Sequence, residues 1–410
     1  LSLSPKQTQP TIPSANAAPA AGAKLREIAG YFLLLGFTAF GGPAAHLAMM
    51  EKELVHKRRW IDRQHFLDLL AAINFIPGPN STEMVLALGK LRGGLRGMVV
   101  AGACFILPAV LIILPIAWMY VLYHQSPKIG GTLRGINAAV VAIVALAALR
   151  LGKSAITDAF TLAVAALAAI GQTITHQYRW AAGDVALLAI AAIAGWMRAA
   201  PWRGNPSTGP SPLAILPLAL KTTLFSGPLL LALLFLKIGA TLFGGGYLLV
   251  TYLQTSFVDH QHWLTTQQML DAVAVGQFTP GPLLTTATFV GFVVAHDHFA
   301  AGPGLEIACA LLATAAIFAP AFILVATLSS AIESIRKMPA ARAMLGSMNA
   351  AVVGLIASTC GSMAIQTLIL PGAARSAGII AAAFALMLLL EINSVWIILA
   401  SAAAGWLLLT

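Results

Sequence analysis

From Met98 to Tyr123 the chain reads MVVAGACFILPAVLIILPIAWMYVLY, without one charged residue. A helix of that length crosses the ~30 Å hydrocarbon core of a bilayer. Comparable apolar runs recur almost to the end of the sequence. In hydrocarbon a backbone must satisfy its own polar groups, which leaves helices or closed barrels. The runs are continuous rather than alternating, so they lack the dyad pattern of a barrel. Composition agrees: 59% of residues are hydrophobic and 9% charged, against about a quarter charged in soluble domains. The expected class is an all-α polytopic membrane protein.

The formal charge of +10 comes mostly from lysines and arginines in short loops. The positive-inside rule accounts for them, and no nucleic-acid partner is expected. Cys104, Cys309 and Cys360 lie far apart in apolar runs, without metal-ligand spacing, and read as small buried residues. Residues 1–27 open with a stretch rich in Pro, Ala and Ser that lacks a signal peptide's basic start and apolar core. They are read as a mobile tail.

The sequence is written twice. Gly36 aligns with Gly239 and Pro79 with Pro282 without a gap between them. Identities on the way include Thr38/Thr241, Phe40/Phe243, Gly41/Gly244, Gly42/Gly245, Trp60/Trp263 and Asp68/Asp271, and Pro77-Gly78-Pro79 returns as Pro280-Gly281-Pro282. Further on, Pro108 matches Pro320, and NAAVV recurs from Asn137 and Asn349. The reading is a first repeat over 28–198, a Pro/Gly-rich linker over 199–221 and a second repeat over 222–410.

Loop charge orients the halves. The loop after the first glycine pair carries Lys52, Lys57, Arg58, Arg59 and Arg63, and the next carries Lys90, Arg92 and Arg96; their counterparts, 254–266 and 295–306, have no lysine or arginine. Opposite bias in equivalent loops predicts an inverted repeat. Each Pro-Gly-Pro segment is flanked by loops of one kind, so 66–89 and 269–291 read as re-entrant hairpins entering from opposite faces. The remaining runs give about ten spanning helices. In the first half they lie near 28–50, 98–123, 135–150, 159–175 and 184–198, in the second near 222–251, 307–331, 343–365, 376–390 and 394–410. This count places Lys24 and Arg26 on the outer face, against the rule.

Gly41-Gly42 and Gly244-Gly245-Gly246 interrupt the first run of each half. Transporters use broken helices in inverted repeats to build a midplane site, where freed amides and helix N-termini offer donors to an anion. The hairpin tips Pro77, Gly78, Pro79 and Pro280, Gly281, Pro282 cannot be ordinary helix. Polar residues follow them: Asn80, Ser81, Thr82 and Glu83 in one, Thr285, Thr286 and Thr288 in the other. Lys237, inside an apolar run, is the candidate for attracting an anion. Glu83 is a candidate partner for it or a proton carrier, and His46 a candidate ligand or proton carrier. Asn137 and Asn349 read as interhelical hydrogen bonds, Asp68 and Asp271 as hairpin caps or loop pairs, Trp60 and Trp263 as interfacial anchors. Enzyme signatures, cofactor motifs and metal clusters are missing, so neither catalysis nor a cofactor is expected.

GFTAFGGPAAHLAMM with INFIPGPNSTEMVLALG, and KIGATLFGGGYLLVTYLQ with GQFTPGPLLTTATFVGF, resemble the chromate ion transporter family in its long, two-domain bacterial form. The resemblance implies a multi-pass inner-membrane carrier that exports chromate, confers chromate resistance and meets sulfate as a competitor. It maps the family motifs onto Phe40, Gly41, Gly42, Pro43 and His46, onto Pro77 to Pro79, Phe243 to Gly246 and Pro280 to Pro282. The residues alone reach an inverted-repeat anion transporter and leave open an anion channel, or an exporter of another oxyanion or small metabolite. Expected partners are the oxyanion and the lipid bilayer, and a homodimer is admitted.

Overall fold

The computed structural model describes residues 21–40, 42–124, 126–178, 180, 182–199, 227–244, 246–299, 302–328, 338–369 and 372–409. Among these the chain is helical, without strands. The first half holds α1 (Ala21–Thr38), α2 (Gly42–Met50) continued by a π-helical turn (Glu51–Lys57), α3 (Arg63–Ile73), α4 (Ser81–Tyr123), α5 (Pro127–Ala155), α6 (Ala159–Gln177) and α7 (Gly183–Ala199). The second holds α8 (Gly227–Thr241), α9 (Leu248–Leu253) with its π-helical turn (Gln254–His260), α10 (Thr266–Phe278), α11 (Thr286–His298), α12 (Pro303–Leu328), α13 (Pro339–Ile369), α14 (Ala373–Leu389) and α15 (Ser394–Leu408). Helices α4, α5, α6, α12 and α13 are long and apolar enough to cross a membrane, and α8, α14 and α15 are shorter apolar helices. Helix α1 begins at Ala21, inside the segment read as a tail; most of the expected linker lies outside the described residues.

Local chemistry explains the breaks. Helix α4 bends where Gly93 and Gly94 leave helical geometry (Gly94 φ 62°), which separates the hairpin arm from the apolar run behind it. Asp62 caps α3 by accepting from the His65 amide, and Thr265 caps α10 by accepting from Gln268, the same bond in both halves. Arg59 and His262, also equivalent, both take φ near 50°. In the α5–α6 loop Asp158 accepts from the Thr161 amide and from Arg198, each at 2.8 Å. These bonds hold its carboxyl down, at about 2.

The segment 28–50 is not a single interrupted span. Helix α1 runs inward, the chain turns near Gly42, and α2 with its π turn runs back. Glu27, near the start of α1, accepts from Trp60 Nε1 at 2.8 Å and pairs with Arg92 at 2.9 Å. Tyr31 and Phe32 stack edge-on against Trp60. The second half folds back likewise: Phe235 of α8 packs on Phe257 of the π turn at 5.0 Å, and Tyr252 donates to the Thr241 carbonyl. The start of α1, with Lys24, therefore sits beside Arg59 and Arg92 around one cavity. The clash that Lys24 and Arg26 posed for the charge rule disappears. Trp60 thus joins the start of α1 to α4 as a packing centre and hydrogen-bond donor.

The halves interlock by exchange. Helices α6 and α7 pack on α13 of the other half, while α14 and α15 pack on α5. Glycines let the backbones meet: a Cβ at Gly135 of α5 would strike the Ser401 carbonyl of α15, and one at Gly195 of α7 the Ala343 carbonyl of α13. Gly36 likewise lies over the Phe105 carbonyl, and Gly239 over that of Ile317. Lys90 donates to the Val325 and Ala326 carbonyls at the end of α12, and His176, closing α6, pairs with Asp259 at 2.7 Å.

Gly135→Val is expected to cost about 1–3 kcal/mol by overpacking the crossing. Gly130→Ala, on the same helix with nothing within 4 Å, should be neutral or stabilising by about 0.5–1 kcal/mol. Thermal unfolding of the purified protein in detergent reads both, and equal shifts would contradict the crossing.

Candidate functional site

Each Pro-Gly-Pro tip is seated in the broken helix of the other half. The Gly78 amide donates to the Leu242 carbonyl at 2.6 Å, and the Gly281 amide donates to the Ala39 carbonyl at 3.1 Å. Leu242 and Ala39 are the residues just past α8 and α1, whose carbonyls the helix break has left without an intrahelical donor. Both glycines have positive φ, 146° and 99°. The arms of the hairpins are short, 11 residues in α3 and 13 each in α10 and α11, well below the ~20 a span needs.

Two cavities flank these seats. One, of about 320 Å³, is lined by Asn74, Ile76, Gly78 and Asn80 of the first tip, Phe243 and Gly244 of the second-half break, Leu151, Ser154 and Ala155 of α5, and Leu345, Asn349 and Val352 of α13. The other, at the second tip against the first-half break, is lined by Ala39, Gly42, Pro43, Gln277 and Gly281 among others and holds only about 10 Å³. Gly78 and Gly281, and Asn74 and Gln277, are equivalent residues, so the repeat supplies two versions of one cavity, one open and one nearly closed. Gly41 and Gly245 lie outside the described residues; Gly42, Gly244 and Gly246 take positive φ at the breaks.

The side chains around the two tips differ. At the first, Asn80 donates to Asn74 Oδ1 at 2.9 Å. Ser81, Thr82 and Glu83 are buried, and their side-chain oxygens have no hydrogen-bond partner among the described residues. At the second, Thr285 donates back to the Pro282 carbonyl, Thr286 to that of Leu283, and Thr288 pairs with Thr314. Thr285 and Thr286 are thus spent on their own chain and line neither cavity. His46 is 1% exposed; its Nε2 lies 3.1 Å from the Ala39 carbonyl that the Gly281 amide also meets, and its ring stands edge-on to Phe105.

Lys237 is not at the tips. It interacts electrostatically with Asp184 of α7, which accepts from Thr255 at 2.6 Å. The lysine is therefore part of a polar contact between α7, α8 and the second π turn, not a partner of Glu83. Asp271 is fully buried, takes a 2.7 Å bond from Tyr120 and lies beside Asn137, whereas Asp68 stays near the surface with Gln64. Asn349 parts from its repeat partner Asn137 and lines the open cavity. Asn74 and Ser154 were missed from the sequence; the recurrence of an amide at Asn74 and Gln277 was the available signal.

A family model described as "Chromate transporter" matches residues 26–196 and again 229–406. The chain belongs to the chromate transporter family. It is 32% identical over 409 residues to the chromate transport protein of Pseudomonas aeruginosa, covering 92% of this chain and 90% of that one. It is 30% identical to the probable chromate transport protein of Synechococcus elongatus (84% and 86% covered) and 29% identical to the chromate transport protein of Cupriavidus metallidurans (81% and 80%). No solved structure matches it. This chromate transporter family member is a membrane protein, and its paired tips and breaks are the motifs on which the resemblance rests.

Replacing Gly78 by alanine would drive a Cβ into the Glu83 carboxyl at a φ that side chains avoid, whereas at Gly281 the nearest neighbour is the Ala109 Cβ at 3.1 Å. Backbone strain costs about 1–3 kcal/mol at either site, so Gly78→Ala should lower the unfolding midpoint more than Gly281→Ala. The reverse order would contradict the packing of Glu83 on the tip.

Proposed function

We propose that the chain exports chromate, a tetrahedral dianion, from the cytoplasm across the bacterial inner membrane, giving chromate resistance, with sulfate competing for its site. The open cavity carries this reading. Asn74, Asn80 and Asn349 supply neutral amide donors, the Ser154 hydroxyl bonds back to the Leu151 carbonyl, and among the described residues no charged side chain lines the cavity. Fixed dipoles and amides hold a dianion while allowing release, where a ring of arginines would trap it.

An inverted repeat of two units, 28–198 and 222–410, organises the path. The two ranges matched by the family model and the reciprocal tip-to-carbonyl bonds support it. So do the Lys90–α12 and His176–Asp259 contacts, which agree with equivalent π-turn loops facing opposite ends of the bundle. The positive-inside rule assigns the basic end to the cytoplasm. The open cavity lies toward that end, near the C-terminal end of α5 and the N-terminal end of α13. Its closed counterpart is then the outward site, opening as the first closes, and one closed cavity argues against a continuous pore. A membrane potential helps export: two charges through 100 mV gain roughly 4.6 kcal/mol.

Inside-out vesicles containing the protein should take up radiolabelled chromate saturably, and excess sulfate should suppress the uptake. Asn349→Leu should reduce it at least tenfold with the protein still folded, the loss of one or two hydrogen bonds to a charged ligand. Uptake equal to that of empty vesicles would remove the chromate reading; uptake untouched by Asn349→Leu would remove the cavity from it.

A further inference from the structure

We propose that Glu83 is a proton-binding carboxyl whose neutral form the oxyanion site requires, so that binding of the anion draws a proton onto the protein. This rests on the reading of the open cavity as the oxyanion site.

Glu83 is 0% exposed. Its side chain folds back beneath the first tip until the carboxyl packs on Gly78, and Gly78 itself lines the open cavity. The carboxyl thus lies one residue's thickness behind the cavity wall. Among the described residues no side chain bonds to either oxygen; the backbone N–H groups of Asn80 and of Glu83 itself are the donors that bear on it. Asn80-Ser81-Thr82-Glu83 has the spacing of a capping box, which would make the carboxyl an ordinary helix cap. The second half argues otherwise. The equivalent residue is Thr286, which bonds to the Leu283 carbonyl after a 3-10 turn at Leu283–Thr285, so the second tip enters its helix without a charge. The fold does not require an acid here.

Among the described residues no counter-ion neutralises it. On the elements packed against this part of α4, Glu27 is engaged by Arg92, Arg58 and Trp60, and His46 meets the Ala39 carbonyl. Asp68 takes a bond from Gln64, Asp271 from Tyr120, and His296 of α11 pairs with Glu306 of α12. Lys90, farther along α4, donates to carbonyls of α12, and Lys237 lies with Asp184. The other ionisable groups on these elements are Lys24, Arg26, Tyr31, Arg63, His65, Arg96, Cys104, Asp297, His298 and Cys309, and none of them bears on Glu83.

A dehydrated carboxylate met by two backbone N–H groups and no cation is costly, and a dianion behind the next wall adds like-charge repulsion. Neutral Glu83 removes both penalties, so the anion binds best when the proton is present. Linkage makes the effect reciprocal: the anion must then raise the proton occupancy of Glu83.

The test is calorimetric titration of the purified full chain with sulfate, a dianion throughout the range from roughly pH 6 to pH 9 that surrounds neutrality. Repeating it in buffers of different ionisation enthalpy counts protons taken up. For the wild type, affinity should fall by up to tenfold per pH unit once Glu83 ionises in the free protein, with uptake approaching one proton per sulfate. Glu83→Gln should bind with a flat pH profile and no uptake; Glu83→Thr, copying Thr286, serves the same purpose should the glutamine variant fail to fold. Wild-type binding without proton uptake, or the same slope and uptake in the variants, would overturn the proton site and leave the oxyanion site standing. Absence of any sulfate or chromate binding to the wild type would instead remove the oxyanion site, and the proposal with it.

Discussion

Backbone that leaves helical geometry inside hydrocarbon has to find its partners within protein, and here it finds them across the duplication. The carbonyls of Leu242 and Ala39, released where α8 and α1 end, each accept from the tip glycine of the opposite hairpin. Remove either bond and a hairpin tip and a helix break are both left with unpaired groups. The glycine pairs, the Pro-Gly-Pro triplets and the close crossings at Gly36 and Gly239 all serve that mutual seating. A cavity beside each seat is a consequence, because two non-helical stretches cannot pack as closely as helices.

Duplication supplies two seats, and divergence has made them unequal. His46 faces the Ala39 carbonyl in the first half, while Leu249 stands at the matching place in the second. Glu83 corresponds to Thr286, and the half-buried Asp68 to the buried Asp271. The first tip keeps hydroxyls and a carboxyl that no side chain among the described residues meets; the second satisfies its own threonines. Polar side chains without partners among the described residues are thus concentrated on one side of a nearly symmetric frame, and the proposed oxyanion site draws on that side.

Much of this was legible in the sequence. Proline and glycine announce non-helical tips by their own stereochemistry, and the repeated Pro-Gly-Pro triplets and glycine pairs mark both seats. What stayed hidden was direction. An apolar run with a glycine break has the same hydropathy whether it continues or turns back, so 28–50 read as one span where α1 and α2 double over. Lys24 and Arg26, stranded on the wrong face by that reading, were the trace of the error. Partners distant in sequence were equally invisible: nothing in the run around Lys237 names Asp184, and nothing near Asn349 reveals that it borders a cavity while Asn137 does not.

Arg59 and His262 are exposed, equivalent, and share a left-handed backbone at the end of the two π turns. With Cys104, Cys309 and Cys360 replaced by serine, Arg59→Cys and His262→Cys should react with a membrane-impermeant maleimide from opposite sides. In intact cells His262→Cys should label and Arg59→Cys should not, and inside-out vesicles should reverse the pattern. Labelling of both from the same side would contradict the inversion, and with it the paired inward and outward cavities.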